Sequence, residues 1–302
     1  MRSYIGPKMS SMRLQKSQRI QPVAKTGTVK KNPAMNRDFS QFSTRDITSI
    51  STHASRRVKK TGRALVTGGA IRVGRAIAIA LADAGMDVAI HYHRSAAAAR
   101  RTAREVAARG VRTATLRADL RRPGAPARVV AAAARALGGL DVLVNNAAVF
   151  ARMPLGRTTQ AEWDTILALN LRAPFFCAQA AARVMRRGGH IVNIADVAVT
   201  RTWTAYIPYT IAKSGLVTLT RMLAAALRAR GIAVNCVAPG LVLRPRGFSR
   251  ARWSALTRGG TARTPEDVAA AVVVFATCPR HVTGQMVLVD GGVSRGRPGR
   301  RP

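Results

Sequence analysis

From residue 63 onward the chain alternates short apolar runs with alanine-rich amphipathic stretches, and this alternation limits its fold more than any other feature. The runs at 64–67, 87–91, 112–116, 141–144, 190–194, 233–237 and 286–289 have the length of buried strands. Between them, 73–84, 96–109, 125–137, 159–187, 207–230 and 265–277 keep helical spacing. Parallel strands need long crossovers, and helices serve as those crossovers on both faces of a sheet. The expected fold is a single α/β domain over 63–292, a Rossmann-type doubly wound parallel sheet with its ligands at the carboxyl ends of the strands.

Composition marks where that domain begins. Residues 1–62 hold 14 Lys and Arg against 2 acids, and seven of the eight lysines lie within the first 60 residues. This stretch has no sustained apolar period, so it cannot bury enough surface to offset its ordering entropy and is expected to be disordered. Being basic and acid-poor, it fits a solvated tail, an organelle-targeting leader or the product of an upstream start. Residues 293–302 carry four arginines and no acid and read as a frayed basic tail. The formal net charge of +37 is therefore unevenly spread. With no DNA- or RNA-recognition motif beside it, the charge does not make nucleic acid the expected partner.

No apolar stretch approaches ~18 residues without a charge, the nearest being 268–278, so no membrane span is expected. Cys177, Cys236 and Cys278 are odd in number and far apart, which suits a reducing, cytoplasmic setting better than a disulfide framework.

The first strand runs into Thr67-Gly68-Gly69-Ala70-Ile71-Arg72-Val73-Gly74 and then a helix. Glycines there let the backbone approach a pyrophosphate, and the helix amino terminus offers it free N–H groups. Gly68, Arg72, Val73 and Gly74 are thus cofactor-binding candidates, with Arg72 standing where such turns often carry glycine. At the end of the second strand an NAD-binding protein would place an acid for the ribose hydroxyls. Here the string is His91-Tyr92-His93-Arg94-Ser95, so His93, Arg94 and Ser95 point to a 2′-phosphate and to NADPH. His91 and His93 alternate on one strand face but lack a third metal ligand, and no metal site is assigned. Asp119 and Leu120, after the third strand, are expected beside the adenine.

Tyr209 and Lys213 stand four apart in a helical stretch and project from one face. An ammonium there favours the phenolate and is expected to lower the tyrosine pKa, turning a weak acid into a proton donor. Lys213 is the sole lysine after Lys60.

Together these residues resemble the short-chain dehydrogenase/reductase family over about 63–292. The resemblance rests on the Gly68 turn, Asp119, Asn145-Asn146-Ala147, Asn170, Tyr209-x-x-x-Lys213, Pro239-Gly240 and Asp290-Gly291-Gly292. It implies Tyr209 as proton donor, Lys213 on the nicotinamide ribose and Asn170 holding a relay water. Asn145, Ala147, Pro239 and Gly240 would shape the cofactor cleft, and the assembly would be a homotetramer.

The serine usual thirteen residues before the tyrosine is replaced by Asp196. That exchange, with Arg72, the His91–Ser95 string, Phe150 and Tyr206, is similar to the pteridine reductase branch, although Ala148 stands where that branch has serine. The branch implies a small-molecule substrate, a pterin sandwiched between nicotinamide and Phe150. Arg72 would touch it, Tyr206 would line its edge, and Asp196 would bind its amino-pyrimidine side and act with Tyr209 in protonation. The competing expectations are a general carbonyl reductase of 3-oxoacyl thioesters or sugars, and a nucleic-acid-binding protein on an inactive reductase scaffold. The segment 241–261 carries no readable motif, but its Arg244, Arg246, Arg250, Arg252 and Arg258 suggest attraction of an anionic substrate tail.

Overall fold

The computed structural model describes residues 62–185, 188–244, 248–257 and 263–292. The expected basic leader, apart from Gly62, and the tail 293–302 lie outside the described residues. Seven parallel strands form one sheet: β1 (Gly62–Val66), β2 (Met86–Tyr92), β3 (Thr113–Arg117), β4 (Val142–Asn145), β5 (Gly189–Ile194), β6 (Ile232–Pro239) and β7 (Met286–Val289). Their spatial order is β3-β2-β1-β4-β5-β6-β7, so the winding reverses between β1 and β4. That reversal opens a crevice beyond the strand ends, the place where doubly wound sheets hold ligands. The expected fold is the observed one.

Helices α1 (Arg72–Asp83), α2 (Ala96–Ala107), α3 (Ala125–Leu137), α4 (Gln160–Leu167), α5 (Ala173–Val184), α6 (Ile207–Leu227), α7 (Arg250–Thr257) and α8 (Pro265–Thr277) complete the fold. The apolar stripes of α1 and α8, with Ile77, Leu81, Val272 and Phe275, pack on one face against Val66, Ile90 and Val144. On the other face α3 and α5 bury Val130, Leu137, Cys177 and Ala181 against Leu65, Leu143 and Ile191. Fully burying each such Leu or Ile contributes about 1.5–3 kcal/mol, which is why the central strands are continuous apolar runs.

Two helix starts are written in side chains. Thr159 with Glu162 opens α4, and Thr264 with Asp267 opens α8, each as a reciprocal capping box. The single helix expected over 159–187 is instead three pieces, with a π-helical turn at Ala168–Arg172 between α4 and α5. Pro174 is the cause. It has no N–H for the carbonyl of Asn170, its ring crowds that carbonyl, and the backbone widens just before it. Helix α7 lies in the stretch that offered no motif. Among the described residues no helix is long and apolar enough to cross a membrane.

Leu65 sits fully buried on β1, paired on both sides by β2 and β4. Leu65→Ala is expected to cost about 2–5 kcal/mol, seen as a lower urea midpoint at unchanged slope. A loss below about 1 kcal/mol would mean that the core closes around the gap.

Candidate active site

The ends of β1 and β4 are bound into one unit. Thr67 is buried; its hydroxyl donates to the carbonyl of Val144 (3.2 Å) and accepts the N–H groups of Asn146 (2.9 Å) and Ala147 (3.0 Å). Asn146 Nδ2 donates in turn to the carbonyls of Thr67 (2.9 Å) and Gly68 (3.2 Å). Gly68 has φ +63°, and a methyl group on Gly74 would collide with the Gly68 carbonyl and with Asn146 Nδ2. The turn thus needs both glycines, one for its conformation and one for its closeness. Arg72 also lies at positive φ, +56°, a non-glycine residue held where glycine is favoured.

His91 secures the turn from the next strand. Its Nδ1 accepts the Gly68 N–H (3.2 Å), its carbonyl accepts the Gly69 N–H (2.9 Å), and its Nε2 lies 3.1 Å from the carbonyl of Ala118. An acceptor at Nδ1 and a carbonyl at Nε2 require the neutral Nε2–H tautomer. Burial agrees, pushing the imidazole pKa down to about 4. Among the described residues no three His, Cys, Asp or Glu side chains are grouped to hold a metal.

Two cavities adjoin at the switch point, of about 480 and 720 Å³, and share Arg72, Val73, Asn146 and Ala148. The first is lined by Gly68, Gly74 and Ala147 at the turn, by His93, Arg94 and Ser95 after β2, and by Asp119 and Leu120 after β3. Its residues fit a dinucleotide. The close-packed turn would leave no room for side chains against a pyrophosphate, and the amino terminus of α1 has no side-chain cap to occupy its N–H groups. The Ser95 hydroxyl likewise makes no capping bond to α2. Asp119 is locked by Arg121, whose guanidinium bonds both carboxylate oxygens (2.9 and 2.7 Å) and holds the acid well below the usual carboxylate range. His93 Nε2 lies 3.9 Å from the same carboxylate.

The second cavity holds Asp196, Tyr209 and Lys213 together with Phe150, Tyr206, Pro239 and Gly240. Asp196 follows the end of β5 and caps a 3₁₀ turn, one oxygen accepting the Ala198 N–H (2.8 Å) and the other the Tyr209 hydroxyl (2.8 Å). Burial raises the Asp196 pKa. Lys213 is buried, donates from Nζ to the Ile194 carbonyl (2.7 Å) and has its pKa lowered to about 8 by desolvation. The Tyr209 pKa is pushed well above its ordinary value by burial and then by Asp196. The expected lowering by Lys213 is therefore corrected: the hydroxyl donates to a carboxyl, and Lys213 Nζ stands 5.8 Å from the ring centroid.

Phe150 is 40% exposed, with Tyr206 stacked on it (centroids 4.6 Å apart, planes 10°) and Tyr209 and Trp203 meeting it edge-on. Tyr206, expected at a substrate edge, is thus stacked on the Phe150 ring, and both line the cavity. The bridge between Met153 and Tyr206 fixes this wall, with the Met153 N–H donating to the Ala205 carbonyl (2.8 Å).

Two expected residues lie elsewhere. Asn145 is buried and donates across the sheet to Asn193 (2.9 Å), because its side chain continues the β4–β5 register; Asn146, one residue past the strand, lines both cavities. Asn170, on the π-helical turn, spends its amide on the Val149 peptide, giving Nδ2 to its carbonyl (3.0 Å) and accepting its N–H (3.3 Å). It steadies the segment before Phe150 and its side chain lines neither cavity. Arg121, Arg152, Phe248 and Trp253 also line the cleft, and no sequence motif singled them out.

The chain is similar to known proteins in sequence and fold. A family model described as enoyl-(acyl carrier protein) reductase matches residues 69–294. A short-chain type dehydrogenase/reductase of Picea abies is 36% identical over 247 residues, covering 76% of this chain and 91% of that protein. The 3-oxoacyl-[acyl-carrier-protein] reductase FabG of Staphylococcus aureus (strain Mu50) is 33% identical over 244 residues, 78% of this chain and 99% of its own. The crystal structure of acetoin dehydrogenase YohF from Salmonella typhimurium superposes with a TM-score of 0.73 at 31% identity, over 80% of this chain and 99% of its own. The chain belongs to the short-chain dehydrogenase/reductase family. It is an oxidoreductase of that family, whose members use nicotinamide cofactors.

Gly74→Ala is expected to abolish dinucleotide binding, measured by quenching of protein fluorescence, by forcing the turn away from Asn146; wild-type affinity would remove the close contact from the account. His91 carries a pH dependence of defined sign. Below pH 6.5 the unfolded chain takes up a proton that the folded imidazole refuses until about pH 4, so stability is lost as pH falls through that window. The urea midpoint should drop between pH 7 and pH 4.5 by more in the wild type than in His91→Gln, and equal drops would count against it.

Proposed function

We propose that the protein is an NADPH-dependent reductase of a C=N bond in a pteridine, a dihydropterin or dihydrofolate. The observation that carries this reading is the Asp196 carboxyl, hydrogen-bonded to the Tyr209 hydroxyl beneath an aromatic wall. A reducible ketone needs one neutral donor at its oxygen. An amino-pyrimidine presents adjacent N–H groups, and a carboxyl is the side chain that accepts from both.

Reduction of the C=N bond places a hydride on carbon and a proton on nitrogen. When bound, the reduced nicotinamide supplies the hydride. Burial raises the Asp196 pKa, and the Tyr209 hydroxyl donates to its carboxyl through the 2.8 Å hydrogen bond, so the two groups form the pair through which a proton would reach the substrate nitrogen. Lys213, tied to Ile194, stands 5.8 Å from the Tyr209 ring centroid, and its remaining N–H groups would meet a ribose hydroxyl. The partly exposed Phe150 ring in this cavity would offer stacking to a flat heterocycle. Arg94 and Ser95, with no acid in the His91–Ser95 string, support selection of the 2′-phosphate of NADPH.

A second reading, a general carbonyl reductase, is favoured by the similarity to a 3-oxoacyl-[acyl-carrier-protein] reductase. The remaining expectations join the proposal: a folded domain over 63–292 with a separate basic leader and tail, cytoplasmic and homotetrameric. Free thiols at Cys177, Cys236 and Cys278 support a reducing compartment, and exposed Phe175 and Phe176 on α5 support subunit pairing.

Purified protein with NADPH should turn over dihydrobiopterin and dihydrofolate in preference to acetoacetyl thioester. Turnover of the thioester alone would sink the pteridine reading and leave the second. Tyr209→Phe should lower kcat by about 10²–10⁴-fold while binding NADPH as the wild type does, and Asp196→Ser should lose pteridine turnover selectively.

A further inference from the structure

We propose that Arg152 reads the charge of the substrate's tail, making this reductase selective for a substrate that carries an anionic group beyond its reacting ring. The proposal rests on the reading of the second cavity as the substrate site. Arg152 lines that cavity and not the first, where the phosphate turn and the His93–Ser95 string lie. Its guanidinium makes no hydrogen bond or ion pair among the described residues, and its side chain is exposed.

The backbone beneath it is fixed on both sides. Phe150 stacks on Tyr206, and Met153 is bridged to Tyr206 and hydrogen-bonded to Ala205. Arg152 therefore stands two residues past the ring expected to hold the heterocycle, on a segment with little freedom to retreat. Among the described residues the one acid lining this cavity, Asp196, is engaged by Tyr209 and by the Ala198 N–H, so none of their carboxylates competes for the guanidinium there. An arginine on a fixed base with unused donors suits bidentate capture of a carboxylate or phosphate.

The arginines of 241–261, expected to serve this purpose, carry less of it. Arg244 gives Nη1 to the Phe248 carbonyl (2.7 Å), and neither Arg244 nor Arg250 lines the cavity. Arg246 and Arg258 lie outside the described residues, as does the side chain of Arg252. Arg72 lines both cavities and is placed at the phosphate turn, where a dinucleotide would share its charge.

The test compares substrates that differ in tail charge: dihydrofolate, with its glutamate, against dihydrobiopterin, with a neutral side chain. Arg152→Ala should raise KM for dihydrofolate about tenfold with kcat nearly unchanged, leave KM for dihydrobiopterin within about twofold, and be partly rescued by Arg152→Lys. If the protein reduces thioesters and no pteridine, the assignment of a pteridine substrate has failed. The same variants are then compared on acetoacetyl-coenzyme A, which carries phosphates, and neutral acetoacetyl-N-acetylcysteamine. Within whichever pair is turned over, a KM rise confined to the anionic member supports the proposal. Equal shifts in both members, or none, overturn it.

Discussion

The hydroxyl of Thr67 binds the two strands between which the sheet reverses direction, and the rest of the cleft depends on that bond set. It gives its proton to β4 and takes two N–H groups from the residues just past β4, so the β1 and β4 ends cannot drift apart. Asn146 extends the same tie to the Gly68 carbonyl, and the contact with Gly74 then fixes where α1 begins. Removing any one partner would leave buried polar groups without a bond, a cost of about 1–3 kcal/mol each. Both cavities meet at this point because both are bounded by the same four residues around it.

A second constraint is electrostatic. Asp196, Tyr209 and Lys213 lie in a region where water is largely excluded, and burial acts on each against its charged form: it raises the carboxyl and the phenol and lowers the ammonium. The carboxyl and the ammonium oppose this in each other, since a positive Lys213 favours the charged Asp196 and a negative Asp196 favours the charged Lys213. The phenol is the member with nothing to gain from ionising, and it stays the hydrogen-bond donor. A site that must release a proton only when substrate arrives is well served by a phenol held neutral in this way, since a phenolate would already have given its proton up.

The strands and the helices away from the cleft were readable in the sequence because each obeys one period. Residues 125–137, 265–277 and 286–289 begin and end in the structure where periodicity puts them. Tyr209, Lys213, Asp196, Arg72 and the His93–Ser95 string were readable for a different reason: their chemistry is rare against an arginine-rich and alanine-rich background. What escaped was set by tertiary contact. The break before Pro174 depends on a carbonyl four residues back, the role of Asn146 over Asn145 depends on strand register, and Arg152 has no neighbours in sequence to announce it. The direction of the Tyr209 pKa is of the same kind. Sequence spacing places an ammonium near the ring, but the hydroxyl's partner is thirteen residues away along the chain and is a carboxyl.

The single lysine of the folded body shows how strongly the site selects against the chain's own habit. Beyond residue 60 the chain uses 35 arginines and one lysine, so arginine is its default cation. At position 213 the cation must be buried, must end in a compact donor that reaches the Ile194 carbonyl, and must fit beneath an aromatic ring. A guanidinium would bring five donors into a space with one acceptor described for it, leaving several unpaired, and it cannot shed its charge. An ammonium has three donors, tolerates a pKa lowered to about 8, and keeps two N–H groups for a ligand. Arginine is the cation elsewhere in residues 63–302, and lysine persists at the one position where the cation is buried beside Tyr209 and Asp196.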